Sequence, residues 1–186
     1  PVVSTDAPLE VTLECGASGA SWGRLGRPDA LLRAGERLKQ AGATAIAVVA
    51  RFPEDPESDA LAAYRQGSGV DALAGAEAVI SHLLVQHLQI PCAHAPALDP
   101  LPLDPQLDPR AAGEELGYTF LACVLVGLSR APDLVSAPRQ PGDLDATQLG
   151  AVVVPAGALG GEAVLACLER NVPLITVENP AVLSVT

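Results

Sequence analysis

Methionine is absent altogether from this 186-residue chain, which opens on Pro1. A chain without an initiator residue reads as a fragment or a processed product, so part of any active site is expected to lie outside it. Aromatic residues are scarce as well, at 3% of positions. The core must then be built from Ala, Val, Leu and Ile, small side chains that let helices lie close against sheets. Basic residues are few: 11 Lys and Arg against 22 Asp and Glu give a formal net charge of −11. Such a chain lacks the cationic footprint that releases counterions from nucleic acid, and anionic lipid surfaces repel it. Neither nucleic acid nor a membrane is an expected partner.

The cysteines Cys15, Cys92, Cys123 and Cys167 form no C-x-x-C pair, which argues against a zinc ribbon or a thioredoxin-type motif. Three of the four sit in apolar surroundings, where a reduced thiol behaves as a small hydrophobe. A reducing compartment is the simpler reading, although four cysteines suffice for two disulfides. The longest strongly apolar run, Phe120 to Leu128, falls far short of the roughly 20 residues a membrane-spanning helix requires. No signal-peptide pattern opens the chain.

What is present is a folded-protein composition, 49% hydrophobic, with strand and helix periods in alternation. Leu9 to Glu14 alternates apolar and polar residues as a half-buried strand does. Cys15 to Gly26 is rich in Gly and Ser and reads as a long loop. Pro28 and Asp29 open a helix that Gly42 can close, and Thr44 to Ala50 is a strand covered on both faces. Pro56 to Gln66 reads as a short helix. Asp71 to Leu88 is a stronger one, with a stripe of Leu73, Ala76, Val79, Ile80, Leu83 and Leu84. Gln89 to Cys92 suggests a short strand, Arg110 to Leu116 a helix, and Tyr118 to Leu128 a buried strand or two. The proline-rich stretch 96–109 can be neither a regular helix nor a central strand. The last third reads most clearly: a strand from Ala151 to Val154, a Gly-rich turn, a helix from Glu162 to Arg170, and a strand from Leu174 to Val177. So short a unit implies a parallel pair with a right-handed crossover.

The expected fold is therefore α/β: a layered sheet, at least partly parallel, with helices on both faces, built from strand–Gly-rich loop–helix–strand units. It forms a single domain over 1–186, with possible sub-units 1–95 and 110–186 joined by the proline-rich loop 96–109.

Ligands of open parallel sheets gather where Gly-rich turns feed helix N-termini. Gly157, Gly160 and Gly161 occupy such a turn, and Glu178 ends the next strand where a ribose-binding acid could stand. The spacing is G-x-x-G-G, so the dinucleotide fingerprint is not met, and a tight packing turn explains it equally well. In the loop Cys15 to Gly26, Ser18, Ser21 and Trp22 offer hydroxyls and a stacking surface, where the alternative is a flexible connection with Trp22 plugging the core. Cys92 and His94 stand one residue apart, on one face if the segment is extended. They could act as nucleophile and base, or as two metal ligands joined by Asp99 or Asp104; structural burial of both is the plainer alternative. Arg51, with Glu54 and Asp55, follows a strand and could orient an anion. His82 and His87 diverge around their helix and read as surface residues.

Several runs carry a resemblance: CGASGASWG at Cys15 to Gly23, AIAVVARFPED at Ala45 to Asp55, GVDALAGAEAVISHL at Gly69 to Leu83, IPCAHAPAL at Ile90 to Leu98, and EELGYTFLACVLVGLSRAP at Glu114 to Pro132. In these the chain resembles an uncharacterised family of cyanobacteria and photosynthetic eukaryotes, a domain of unknown function whose members are longer at the N-terminus. The resemblance implies a photosynthetic host and a cytoplasmic or plastid-stromal setting. It brings no activity, cofactor or catalytic residues. The function expected is binding of a small, anionic metabolite, with racemase, isomerase or hydrolase chemistry as options. A non-catalytic binding, regulatory or assembly role is the alternative, the cofactor stays unknown, and homo-oligomerisation is left open.

Overall fold

The computed structural model describes residues 1–16, 21–53, 57–97, 99, 101–115, 120–135 and 140–178. They fall into two compact units, 1–16 with 21–134, and 135–178. In the first unit the order is β1 (Val11–Cys15), β2 (Ser21–Leu25), α1 (Pro28–Gln40), β3 (Ile46–Ala50), α2 (Asp59–Arg65), α3 (Ala74–Leu88), β4 (Cys92–Pro96), α4 (Pro109–Glu115) and α5 (Phe120–Leu128). The second holds a 3-10 turn (Ala146–Gln148), β5 (Val152–Pro155), α6 (Glu162–Glu169) and β6 (Leu174–Val177). The class is mixed α/β with parallel pairing, as the sequence implies. Among the described residues the strands form three two-stranded sheets.

The stretch from Cys15 to Gly26 differs from the long loop expected. It contains β2, which pairs antiparallel with β1 from Val11↔Leu25 to Cys15↔Ser21. Gly23 and the serine hide the strand from a composition reading, yet the alternation of Ser21, Trp22, Gly23, Arg24 and Leu25 follows the burial pattern of a half-covered strand. Helix α1 opens on Pro28 with Asp29 in its first turn and carries Arg37 and Lys39 in its last. Both charge placements suit the helix dipole. It ends before Gly42, whose φ of +91° is open to glycine at no steric cost.

Helix α3 organises the unit. It packs against β1, β2, β4 and α1, and Ala76, Ile80, Leu84 and Leu88 are each at most 2% exposed. Full burial of an Ile or Leu side chain stabilises a fold by about 1.5–3 kcal/mol. The helix closes at Gln89 in the left-handed region, φ +56°, so the short strand expected at Gln89 to Cys92 cannot begin there. β4 begins at Cys92 and runs parallel to β3 from Ile46↔Cys92 to Ala50↔Pro96.

Residues 120–128 form helix α5, where the sequence suggested strands. A continuous apolar run has no polar residue to reveal its period, so helix and buried strand look alike. α5 packs on β3 and β4. In the second unit, β5 and β6 pair in parallel from Val152↔Leu174 to Pro155↔Val177 through crossover helix α6, as the sequence implies.

One contact fixes where α3 lies. A Cβ on Gly23 would stand 2.3 Å from the Ala76 Cβ, and a Cβ on Gly75 would stand 2.4 Å from the Trp22 Cα and 2.6 Å from the Ser21 carbonyl oxygen. Helix backbone thus meets strand backbone with no room for a methyl group. Gly75→Ala is expected to destabilise the protein by about 1–3 kcal/mol through overpacking, read from urea unfolding. Gly113→Ala, where a Cβ meets nothing within 4 Å, is the control; equal effects for the two would refute the contact's role.

Candidate functional site

On its buried face α3 carries two polar residues one turn apart, Glu77 at 7% and Ser81 at 8% exposed. Carboxyl groups seldom lie so deep without an interaction to hold them. Facing them from β4 is His94. Its Nε2 lies 3.9 Å from Glu77 Oε2, and its Nδ1 lies 3.0 Å from Ser81 Oγ. The Ser81 hydroxyl also lies 3.3 Å from the Ala78 carbonyl and 3.4 Å from that of Glu77, the back-bonding common for serine in a helix. The hydroxyl thus links the imidazole to the helix backbone, and the other ring nitrogen of His94 faces the Glu77 carboxyl.

Glu77 and His94 open onto a cavity of about 310 Å³. Leu61, Val70, Leu73, Leu101 and Val124 supply apolar wall, and Tyr64, Asp71 and Glu115 are further polar lining. Asp71 is held locally: its Oδ1 accepts the Leu73 N–H at 2.8 Å, and its carbonyl accepts from Ser21 Oγ at 2.9 Å. Glu115 accepts from Arg65 Nε at 2.8 Å and from Nη2 at 3.3 Å. Both side chains are less than one-fifth exposed. Arg65 Nη2 also donates to the Pro102 carbonyl at 2.7 Å, so its Nε and Nη2 donors are engaged. No Arg or Lys lines the cavity among the described residues.

Burial is the main cause that pushes His94 below the ordinary histidine pKa, and the neighbouring His82 adds to it. Both causes act downward, and that direction favours the neutral imidazole.

The residues singled out in the sequence are dispersed. Cys92 shares β4 with His94, but its thiol donates to the Ile90 carbonyl at 3.4 Å and packs against the core. Burial pushes that thiol up to about 11, so it is protonated at neutral pH, and it makes no hydrogen bond to His94. Ser21 and Trp22 lie on β2. Trp22 is 41% exposed and donates from Nε1 to Glu14 at 3.0 Å. Arg51 forms an exposed ion pair with Asp99. Ser18, Glu54 and Asp55 lie outside the described residues. Gly157, Gly160, Gly161 and Glu178 belong to the second unit, in the turn before α6 and at the end of β6. Gly161 is the N-cap of α6 and makes no side-chain cap bond. His82 and His87 are exposed on α3. Among the described residues, no group of three or more His, Cys, Asp or Glu is placed to hold a metal ion.

Of the candidate site residues among those described, only His94 joins the cavity, which Cys123 also lines. The sequence reading missed Glu77 and Ser81, whose signal was their spacing: Leu73, Glu77, Ser81, Leu84 and Leu88 fall at helical intervals on one face. Polar residues inside an apolar stripe are the mark of a buried polar site.

The profile of a family described as "Protein of unknown function (DUF3326)" matches residues 1–186. An uncharacterized lipoprotein of Synechococcus sp. (strain ATCC 27144 / PCC 6301 / SAUG 1402/1) is 55% identical over 183 residues, which are 97% of this chain and 51% of the relative. The chain thus spans about half the length of the curated relative it matches. No solved structure matches it significantly. No helix among the described residues is long and apolar enough to cross a membrane.

The depressed pKa of His94 makes stability depend on pH. Below its ordinary value of 6.5, the unfolded chain takes up the proton before the folded one does. The stability His94 contributes is complete above about pH 6.5 and is lost as pH falls through the folded-state value. Thermal unfolding from pH 7.5 to 5 is expected to give a decline in Tm that is shallower in His94→Gln. Identical slopes would place the imidazole in solvent.

Proposed function

The chain belongs to the DUF3326 family of proteins of unknown function, and from that premise we propose that it binds a small molecule in the cavity between α2, α3, β4 and α5. The observation that carries the reading is the convergence of Glu77 and His94 at one end of a largely apolar cavity. Ligand sites pair apolar walls with a few oriented polar groups, and a volume near 300 Å³ is at the lower end of their usual range. The ligand is accordingly compact and mostly apolar, with a cationic or hydrogen-bond-donating head such as an amine. The carboxyl of Glu77 accepts hydrogen bonds, and a donor head group pairs with it beside the His94 ring.

The anionic metabolite expected from the Gly-rich turns fits this cavity less well. Its ionisable lining is acidic apart from neutral His94, and Arg65 is already engaged by Glu115. Chemistry through a Cys92 thiolate finds no support in a thiol pushed up to about 11. For setting, similarity to a lipoprotein supports a full-length protein held at a membrane by lipid, in place of the cytoplasmic or stromal location expected from the sequence.

Isothermal titration with short alkylamines and with alkylcarboxylates of matched length tests the reading. Amines are expected to bind, carboxylates to bind far more weakly, and Glu77→Gln to weaken the amine by about tenfold or more, a loss of about 1.4 kcal/mol. Preference for the carboxylates, or equal amine binding by Glu77→Gln, would reject it.

A further inference from the structure

In the second unit the β5–β6 pair is covered unequally. α6 packs on both strands, and Val152, Val154 and Leu174 on one face are partly buried. On the other face Val153 is 63% exposed, and its cross-strand partner Ile175 is 50% exposed. Val177, two residues beyond Ile175 and so on the same side, is also 50% exposed. Three large aliphatic side chains thus stand together on a parallel pair of strands. Parallel strands are found almost wholly in sheets buried on both faces, and a two-stranded sheet is marginal in water by itself. Among the described residues, neither strand has a further partner.

We propose that the Val153–Ile175–Val177 face is the docking surface for polypeptide of the same protein lying outside these 186 residues. The matched stretch is 51% of the Synechococcus relative, so about as much chain again is available there to cover it. A covalently linked segment acts at an effective concentration in the millimolar range, without a bimolecular association cost. A second copy is the poorer occupant, because it brings another formal charge of −11 against the first. The segment presents apolar side chains, as strands or as a helix laid across the sheet. This inference is independent of the cavity and of what binds there.

The test uses the full-length gene product. Val153→Lys and Ile175→Lys are each expected to lower its Tm by about 4 °C or more, because a charge is forced into a covered apolar face. Leu103→Lys, at a residue 100% exposed, is expected to leave Tm unchanged. If Val153→Lys and Ile175→Lys are as harmless as Leu103→Lys, the face is bare and the proposal fails. Maleimide labelling of Val153→Cys supplies a second reading. The rate is expected to be about tenfold slower in the full-length protein than in the 186-residue chain, and independent of protein concentration. Equal rates, or protection that grows with concentration and so assigns the face to a second copy, would overturn it.

Discussion

Helix α3 and strand β2 meet backbone to backbone, and the architecture of the first unit follows from that contact. Gly23 and Gly75 remove the two side chains that would hold the elements apart, and Ala76 fills the space between them. With its N-terminal end seated on the hairpin, α3 lies against α1 and β4 along the rest of its length. The same placement turns Glu77 and Ser81 toward His94. Three small residues on two elements thereby determine where the polar end of the cavity stands. A sequence poor in aromatics uses closeness of approach where others use bulk.

Glu77 sits uneasily in this arrangement as a matter of stability alone. A carboxyl group at a core position loses hydration, and an apolar residue of similar size fills such a position at lower cost. Its carboxyl faces the His94 ring, 3.9 Å from Nε2. Arg65 and Glu115, on helices α2 and α4 near the cavity, are better matched: a bidentate pair with an added carbonyl contact uses the geometry in which arginine is strongest. The two acids therefore differ in kind. Glu115 belongs to the wall that holds helices together, whereas Glu77 faces the space those helices enclose.

Much of the fold could be read from the sequence because strong local signals agreed with the tertiary outcome. Pro28, Asp29 and Gly42 bracket α1, the apolar stripe marks α3, and the Gly-rich turn between two aliphatic runs gives the β5–α6–β6 unit. Three features stayed hidden for distinct physical reasons. β2 contains Gly23, whose purpose is to admit a helix, and glycine in isolation signals a loop. α5 has no polar residue with which to display a period. Glu77 and Ser81 were masked by the apolar residues around them, since a stripe is usually noticed for what it contains. Adjacency in sequence drew attention to Cys92 and His94, yet His94 finds its partners on α3, and burial assigns Cys92 to the core.

Trp22 is the sole tryptophan of the chain, and its α-carbon lies at the point where α3 comes closest to the hairpin. Its indole is partly exposed and bonded to the carboxylate of Glu14 across the strand pair. The chain therefore carries its one indole at the seam on which its helix packing depends. Emission from that single indole reports separation of helix from hairpin as an optical signal, with no other tryptophan to obscure it.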